Sequence, residues 1–176
     1  MRIYEGSPRQ DYEEVLRSIG AFLDQRGMRE MLLAEAPDGF IVQGLVTAAA
    51  AGGTWSDQMG QHQKETLTFL DDDISRFMDE AIARRRAGAP QPDFAAAGPY
   101  EKALRVIGRY IDQQKPRDVF FFEQGGAFVL RLLNAGQAGA HHSLAEFTAE
   151  DISAMIQQGP AWRTPDPVPG QAQATR

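Results

Sequence analysis

The spacing of apolar and polar positions changes several times along the chain, and each change marks an element. Tyr12, Val15, Leu16, Ile19, Phe22 and Leu23 recur on one helical face. They predict a helix that begins at Asp11 as N-cap and stops at Gly27. Residues 29–35 and 40–46 are two apolar runs of strand length flanking Pro37-Asp38-Gly39. That turn closes a β-hairpin, because proline pre-sets φ and glycine accepts a positive one. Residues 47–65 have no period and contain three glycines, which reads as a long loop. A third strand is expected over 66–69 and a second helix over 71–86, with Ile74, Phe77, Met78, Ala81 and Ile82 on its buried side.

Residues 87–99, with three prolines and a triple alanine, predict a linker. The same order of elements then recurs. A helix carries Tyr100, Ala103, Leu104, Ile107 and Ile111, and a strand follows over 118–123. Gly125-Gly126 makes a two-residue turn into a strand over 127–133. A shorter loop, 134–140, leads to a third strand ending near Phe147. Thr148-Ala149-Glu150-Asp151 opens the last helix as a capping box. Residues 160–176 are proline-rich and polar, which reads as a disordered tail.

A shift of 88 positions lays the first helix and hairpin on the second without a gap. Tyr12 falls on Tyr100, Glu13 on Glu101, Arg17 on Arg105 and Gly20 on Gly108. Asp24 falls on Asp112, Glu35 on Glu123 and Phe40 on Phe128. The expected fold class is therefore α+β: an internal duplication of an α-β-β-β-α unit, with antiparallel sheets and helices packed on one face. The copies span 1–86 and 100–159, and the linker covers 87–99.

Composition narrows the function classes. With 18 basic against 24 acidic side chains, the chain lacks the excess of Lys and Arg that binding to a phosphate backbone uses, so a nucleic-acid partner is not expected. The absence of cysteine excludes disulfides and thiolate chemistry and suits a reducing compartment. No secretory h-region and no apolar run of membrane-spanning length occurs. The expected location is cytoplasmic, with no membrane partner.

The hairpins point to a surface. Alternation puts Val119, Phe121, Leu130 and Leu132 on one face of the second hairpin, and Phe120, Phe122, Val129 and Arg131 on the other. Leu32, Ala34, Ile41 and Gln43 are the counterparts in the first. Burying one Phe side chain is worth about 1.5–3 kcal/mol, so an apolar second face needs a cover. The candidates are the other copy's sheet, packed face to face within the molecule, a second subunit, or an amphipathic ligand. The first is the simplest expectation. Trp55, in the long loop, joins Phe120, Phe122, Val129, Arg131, Leu32 and Gln43 as a candidate partner-binding residue.

Chemistry-bearing residues are sparse. His62, His141 and His142 fall near the ends of the loops before the third strands, where convergence of those loops would build a metal or ligand site. Solvent-exposed loop histidines are the simpler reading, because no HxH or HExxH spacing occurs. Asp71-Asp72-Asp73 could hold Mg²⁺, but reads as helix capping. Glu35 and Glu123 could pair as acid and base, but read as surface carboxylates or partners of Arg29 and Arg117. No catalytic constellation and no cofactor motif is present.

The αβββα order resembles that of double-stranded-RNA-binding domains, whose Lys-rich second helix is missing here. It is also similar to secretion-chaperone-like proteins, which place helices beside a curved sheet and dimerise. The expected function is a non-enzymatic protein-interaction or chaperone-like adaptor that binds a protein partner or itself as a homodimer. The alternative is a small-ligand-binding protein or enzyme with a site between the copies near the histidine loops.

Overall fold

The apolar stripe of the first helix folds as expected except at Phe22, which is 38% exposed and meets Phe69 edge-on instead of entering the core. In the computed structural model, which describes residues 12–47, 62–87, 97–136 and 139–158, Val15, Leu16, Ile19 and Leu23 line the buried face of α1 (Tyr12–Arg26). The hairpin β1 (Met28–Ala36) and β2 (Gly39–Thr47) follows, then β3 (His62–Leu70) and α2 (Asp71–Arg86). The second half runs α3 (Pro99–Gln114), β4 (Asp118–Gln124), β5 (Ala127–Gly136), β6 (Gly139–Phe147) and α4 (Ala149–Gln158). The expected Asp11 cap, Trp55 and the 160–176 tail lie outside the described residues.

The six strands form one antiparallel sheet in the order β3-β2-β1-β4-β5-β6. This corrects the expectation of two sheets stacked face to face. Each hairpin leaves one edge of its first strand unpaired, with a row of N–H and C=O groups that need partners. β1 and β4 satisfy each other edge to edge, with Leu33 opposite Phe121, Leu32 opposite Phe122 and Ala34 opposite Phe120. Leu33 and Phe121 are themselves 88 apart, so the pairing is centred on them.

The expected second hairpin holds in detail. Gly125 and Gly126 have φ of +60° and +81°, as a type I′ turn requires, and Val119 pairs with Leu132 and Phe121 with Leu130. The third strands are longer than their apolar patterns. β3 begins at His62, and the expected 134–140 loop is largely ladder, with Asn134 paired to His141 and Gly136 to Gly139. Backbone pairing carries these polar extensions, and the Asn134 amide donates to Ser143 Oγ at 2.7 Å.

One face of the sheet carries the core. Met31, Leu33, Phe40, Val42, Phe121, Leu130 and Leu132 pack under α1 and α3, while Ile74 of α2 and Ile152 and Met155 of α4 join the same cluster. The helices α1 and α3 cross antiparallel at very close range. A Cβ on Gly20 would lie 2.6 Å from Tyr100 O, and one on Gly108 would lie 2.6 Å from Tyr12 C. Each helix also caps the other. The N–H groups of Tyr100 and Glu101 donate to the Asp24 carboxylate at 3.0 and 2.9 Å, and those of Tyr12 and Glu13 donate to Asp112 at 2.9 and 3.0 Å. Such contacts satisfy the orphan donors at a helix N-terminus. The guanidinium of Arg17 pairs with Glu101 at 2.8 Å, and Glu13 receives Arg105 at 3.1 Å and Arg109 at 2.6 Å. Arg17 and Arg109 are buried, and these partners offset the cost of removing their charge from water.

Candidate functional site

With the four helices of the described residues in one core cluster, the opposite face of the sheet carries no helix among those residues. Pairing places its side chains in two rows that cross all six strands. One row runs Thr68, Ile41, Ala34, Phe120, Arg131, Leu144, and the other Thr66, Gln43, Leu32, Phe122, Val129, Glu146. Paired residues share a face of the sheet, so six apolar side chains, Ile41, Ala34, Leu32, Phe120, Phe122 and Val129, form its centre. Their surroundings are mainly polar.

The aromatic centre is ordered by its own contacts. The Phe120 and Phe122 rings lie 6.4 Å apart and tilted, and the Arg131 guanidinium sits 5.1 Å from the Phe120 centroid, a cation–π contact. Both rings are half-buried. Around them Ile41 is 36% and Leu144 75% exposed. A leucine so exposed on a sheet face is unusual enough to mark a contact surface when it adjoins other apolar groups.

Six of the seven candidate residues, Phe120, Phe122, Val129, Arg131, Leu32 and Gln43, therefore sit together on this face; Trp55 lies outside the described residues. The histidine loops do not converge. β3, which begins at His62, and β6, which carries His141 and His142, are the two outer strands of the sheet. Five strand spacings separate them, about 24 Å. As neighbours in a strand, His141 and His142 also point to opposite faces. Among the described residues no group of three metal-ligating side chains forms, and no helix is long and apolar enough to cross a membrane.

Glu35 and Glu123 are not the expected surface carboxylates. Both lie on the helix side, where Glu35 accepts the Tyr12 hydroxyl at 3.0 Å and Glu123 accepts that of Tyr100. Burial and then the Glu123 carboxylate push Tyr100 far above the ordinary tyrosine pKa. Asp73 caps the start of α2 by accepting Leu70 N–H at 3.2 Å, as expected of the aspartate run. Sequence reasoning missed the carboxylates of Asp24 and Asp112 as inter-helix caps. Their recurrence at the 88-residue shift was the available signal, because polar identities are not needed merely to keep a helix amphipathic. It also missed Leu144 and Glu146, which extend the open face onto β6.

Comparison with protein-family models, with curated proteins and with solved structures finds no match to this chain.

Proposed function

We propose that the chain is a non-enzymatic interaction module, an adaptor of chaperone-like type, whose partner-binding surface is the helix-free face of its sheet and whose first partner is a second copy of itself. In this reading two copies of an α-β-β-β-α unit, 1–86 and 100–159, have been fused, with the β1–β4 edge inside one sheet. Matched contacts at positions 88 apart support the duplication: Gly20 and Gly108 at the crossing, Asp24 and Asp112 as caps, Leu33 and Phe121 at the centre.

The observation that carries the proposal is the pair of apolar rows centred on Phe120 and Phe122 with no element of the described chain over them. Strands of about nine residues in six columns give a face of about 850 Å², close to the ~800 Å² that each partner contributes to a stable complex. The outer strands favour the face over edge pairing. Gln63, Lys64 and Glu65 on β3, and His141 and His142 on β6, are polar or charged, as edges that avoid strand addition are. Arg131 and Glu146 lie in adjoining rows, and neither has an oppositely charged partner among the described residues. A second copy can satisfy both reciprocally. A cysteine-free module of this kind suits the cytoplasm.

Light scattering tests the reading. The wild-type mass is expected at twice the 19.4 kDa chain at tens of micromolar, and Phe120→Asp and Leu144→Lys are expected to halve it with unchanged circular dichroism. Leu144 is largely exposed, so its variant is not expected to disturb the core. A wild-type monomer, or folded variants of undiminished mass, would overturn the proposal.

A further inference from the structure

On the helix side, away from the open face, a cavity of about 530 Å³ opens between the start of α3, the β4–β5 turn and α4. Its walls are mainly apolar, including Pro99, Ala103, Phe128, Ala149 and Ile152, and its polar wall is the Tyr100 hydroxyl bonded to Glu123. Arg29 and Glu30 stand at the rim.

The counterparts of three lining residues in the other half are slightly more enclosed. Tyr12, Phe40 and Ile74 are 2%, 0% and 2% exposed, whereas Tyr100, Phe128 and Ile152, their counterparts, are 9%, 4% and 6%. Pro37-Asp38 occupies the turn there. In the second half Gly125 and Gly126 leave the mouth of the cavity without side chains, and a Cβ on Gly126 would meet only Ala149, at 3.9 Å. Protein interiors are close-packed, so a space of this volume beside the β4–β5 turn marks a candidate ligand site.

Charge defines what fits. The Glu123 carboxylate is half-buried, takes the Tyr100 hydroxyl on one oxygen, and has no cation within ion-pair distance among the described residues. Asp24, which caps the first turn of α3, and Glu30 add negative charge, and Arg29 is the one cation among the described lining residues. Volumes of roughly 300–1,000 Å³ with a few convergent polar groups are those of small-molecule sites.

We infer that this cavity binds a small amphipathic amine, its apolar body against Phe128 and Ile152 and its ammonium paired with Glu123. The site is independent of whatever covers the opposite face of the sheet.

The test titrates the full chain at neutral pH with three probes that share one apolar body: phenylbutylamine, phenylbutanol and phenylbutyrate. Calorimetry reads affinity, and ¹⁵N–¹H spectra locate binding. The amine is expected to bind with shifts at the Gly125, Gly126 and Ala149 amides, and the alcohol to bind about tenfold or more weaker, the carboxylate weaker still, since a hydrogen bond to a charged group is worth about 1.5–3 kcal/mol. Glu123→Gln is expected to reduce the amine to the alcohol's affinity. Ala149→Trp, at an exposed rim position, is expected to abolish all three while the spectrum stays native. Equal affinity of amine and alcohol, an unchanged amine affinity in Glu123→Gln, shifts clustered elsewhere, or no saturable binding would each overturn the inference.

Discussion

Gly20→Ala puts the helix crossing to a test in which the sign of the effect decides. On an exposed helix this substitution stabilises by about 1 kcal/mol, because alanine loses less backbone entropy than glycine on becoming helical. Here the added Cβ would stand 2.6 Å from Tyr100 O, 2.7 Å from Tyr100 C and 2.8 Å from Glu101 Cα. All three are backbone atoms of the first turn of α3 and cannot rotate away. Restoring ordinary contact needs a separation of about 0.8 Å, and overpacking of this kind costs roughly 1–3 kcal/mol. Asp24 lies one turn further along the same face of α1, so separation also lengthens its bonds to Tyr100 N–H and Glu101 N–H. Weakening that cap costs about 1 kcal/mol. After subtracting the propensity gain, the net destabilisation is about 2 kcal/mol. For a chain of this size it lowers Tm by about 4–8 °C. Thermal and urea unfolding at one fixed protein concentration measure it, since self-association would make Tm concentration-dependent. Gly20→Ala/Gly108→Ala should cost close to the sum of the singles, because Gly20 meets the start of α3 and Gly108 the start of α1, at opposite ends of the interface. An unchanged or raised Tm for Gly20→Ala would show that α1 and α3 do not meet at this distance.

Further outcomes follow from the polar groups around that crossing. Burial opposes ionisation of Glu13, but Arg109 and Arg105 outweigh it and hold its pKa below the ordinary carboxylate value. A depressed folded pKa stabilises above the unfolded value and is lost on acidification. Wild-type stability should therefore fall as the pH drops below about 4.5, and urea titrations of Glu13→Gln should show a shallower acid slope; an identical slope would remove Glu13 from the account. Burial and Glu123 raise Tyr100, and burial raises Tyr110. Of the four tyrosines, at least two should stay protonated at about pH 10, which tyrosinate absorbance counts; full titration there with the fold intact would contradict the burial described. Asp112→Ala should cost about 1–2 kcal/mol in chemical unfolding by stranding the Tyr12 and Glu13 N–H groups, and no change would mean that water replaces the cap.

Local chemistry made much of this fold legible. The stripe from Tyr12 to Leu23 carried one helix, and Thr148 and Asp151 announced another through reciprocal bonds of 2.8 and 3.1 Å. The alternation around Gly125-Gly126 located Phe120, Phe122, Val129 and Arg131 on a common face, because a two-residue turn leaves the register no freedom. Polar strand ends escaped the pattern. His62 to Glu65, Asn134 to Gly136 and Gly139-Ala140 have no apolar alternation to detect, and only a neighbouring strand makes them β.

The sequence alone determined the order of elements, the hairpin register and the recurrence of Tyr12, Gly20, Asp24 and Glu35 at 100, 108, 112 and 123. Those features depend on interactions within a few residues, or on comparing the chain with itself. Tertiary structure alone decided that β1 meets β4, that Asp24 and Asp112 cap each other's helices, and that the histidines stand at opposite margins of one sheet. Free strand edges carry the same backbone groups whatever their side chains, so their choice of partner follows from packing α1 against α3 across the whole chain rather than from any local pattern.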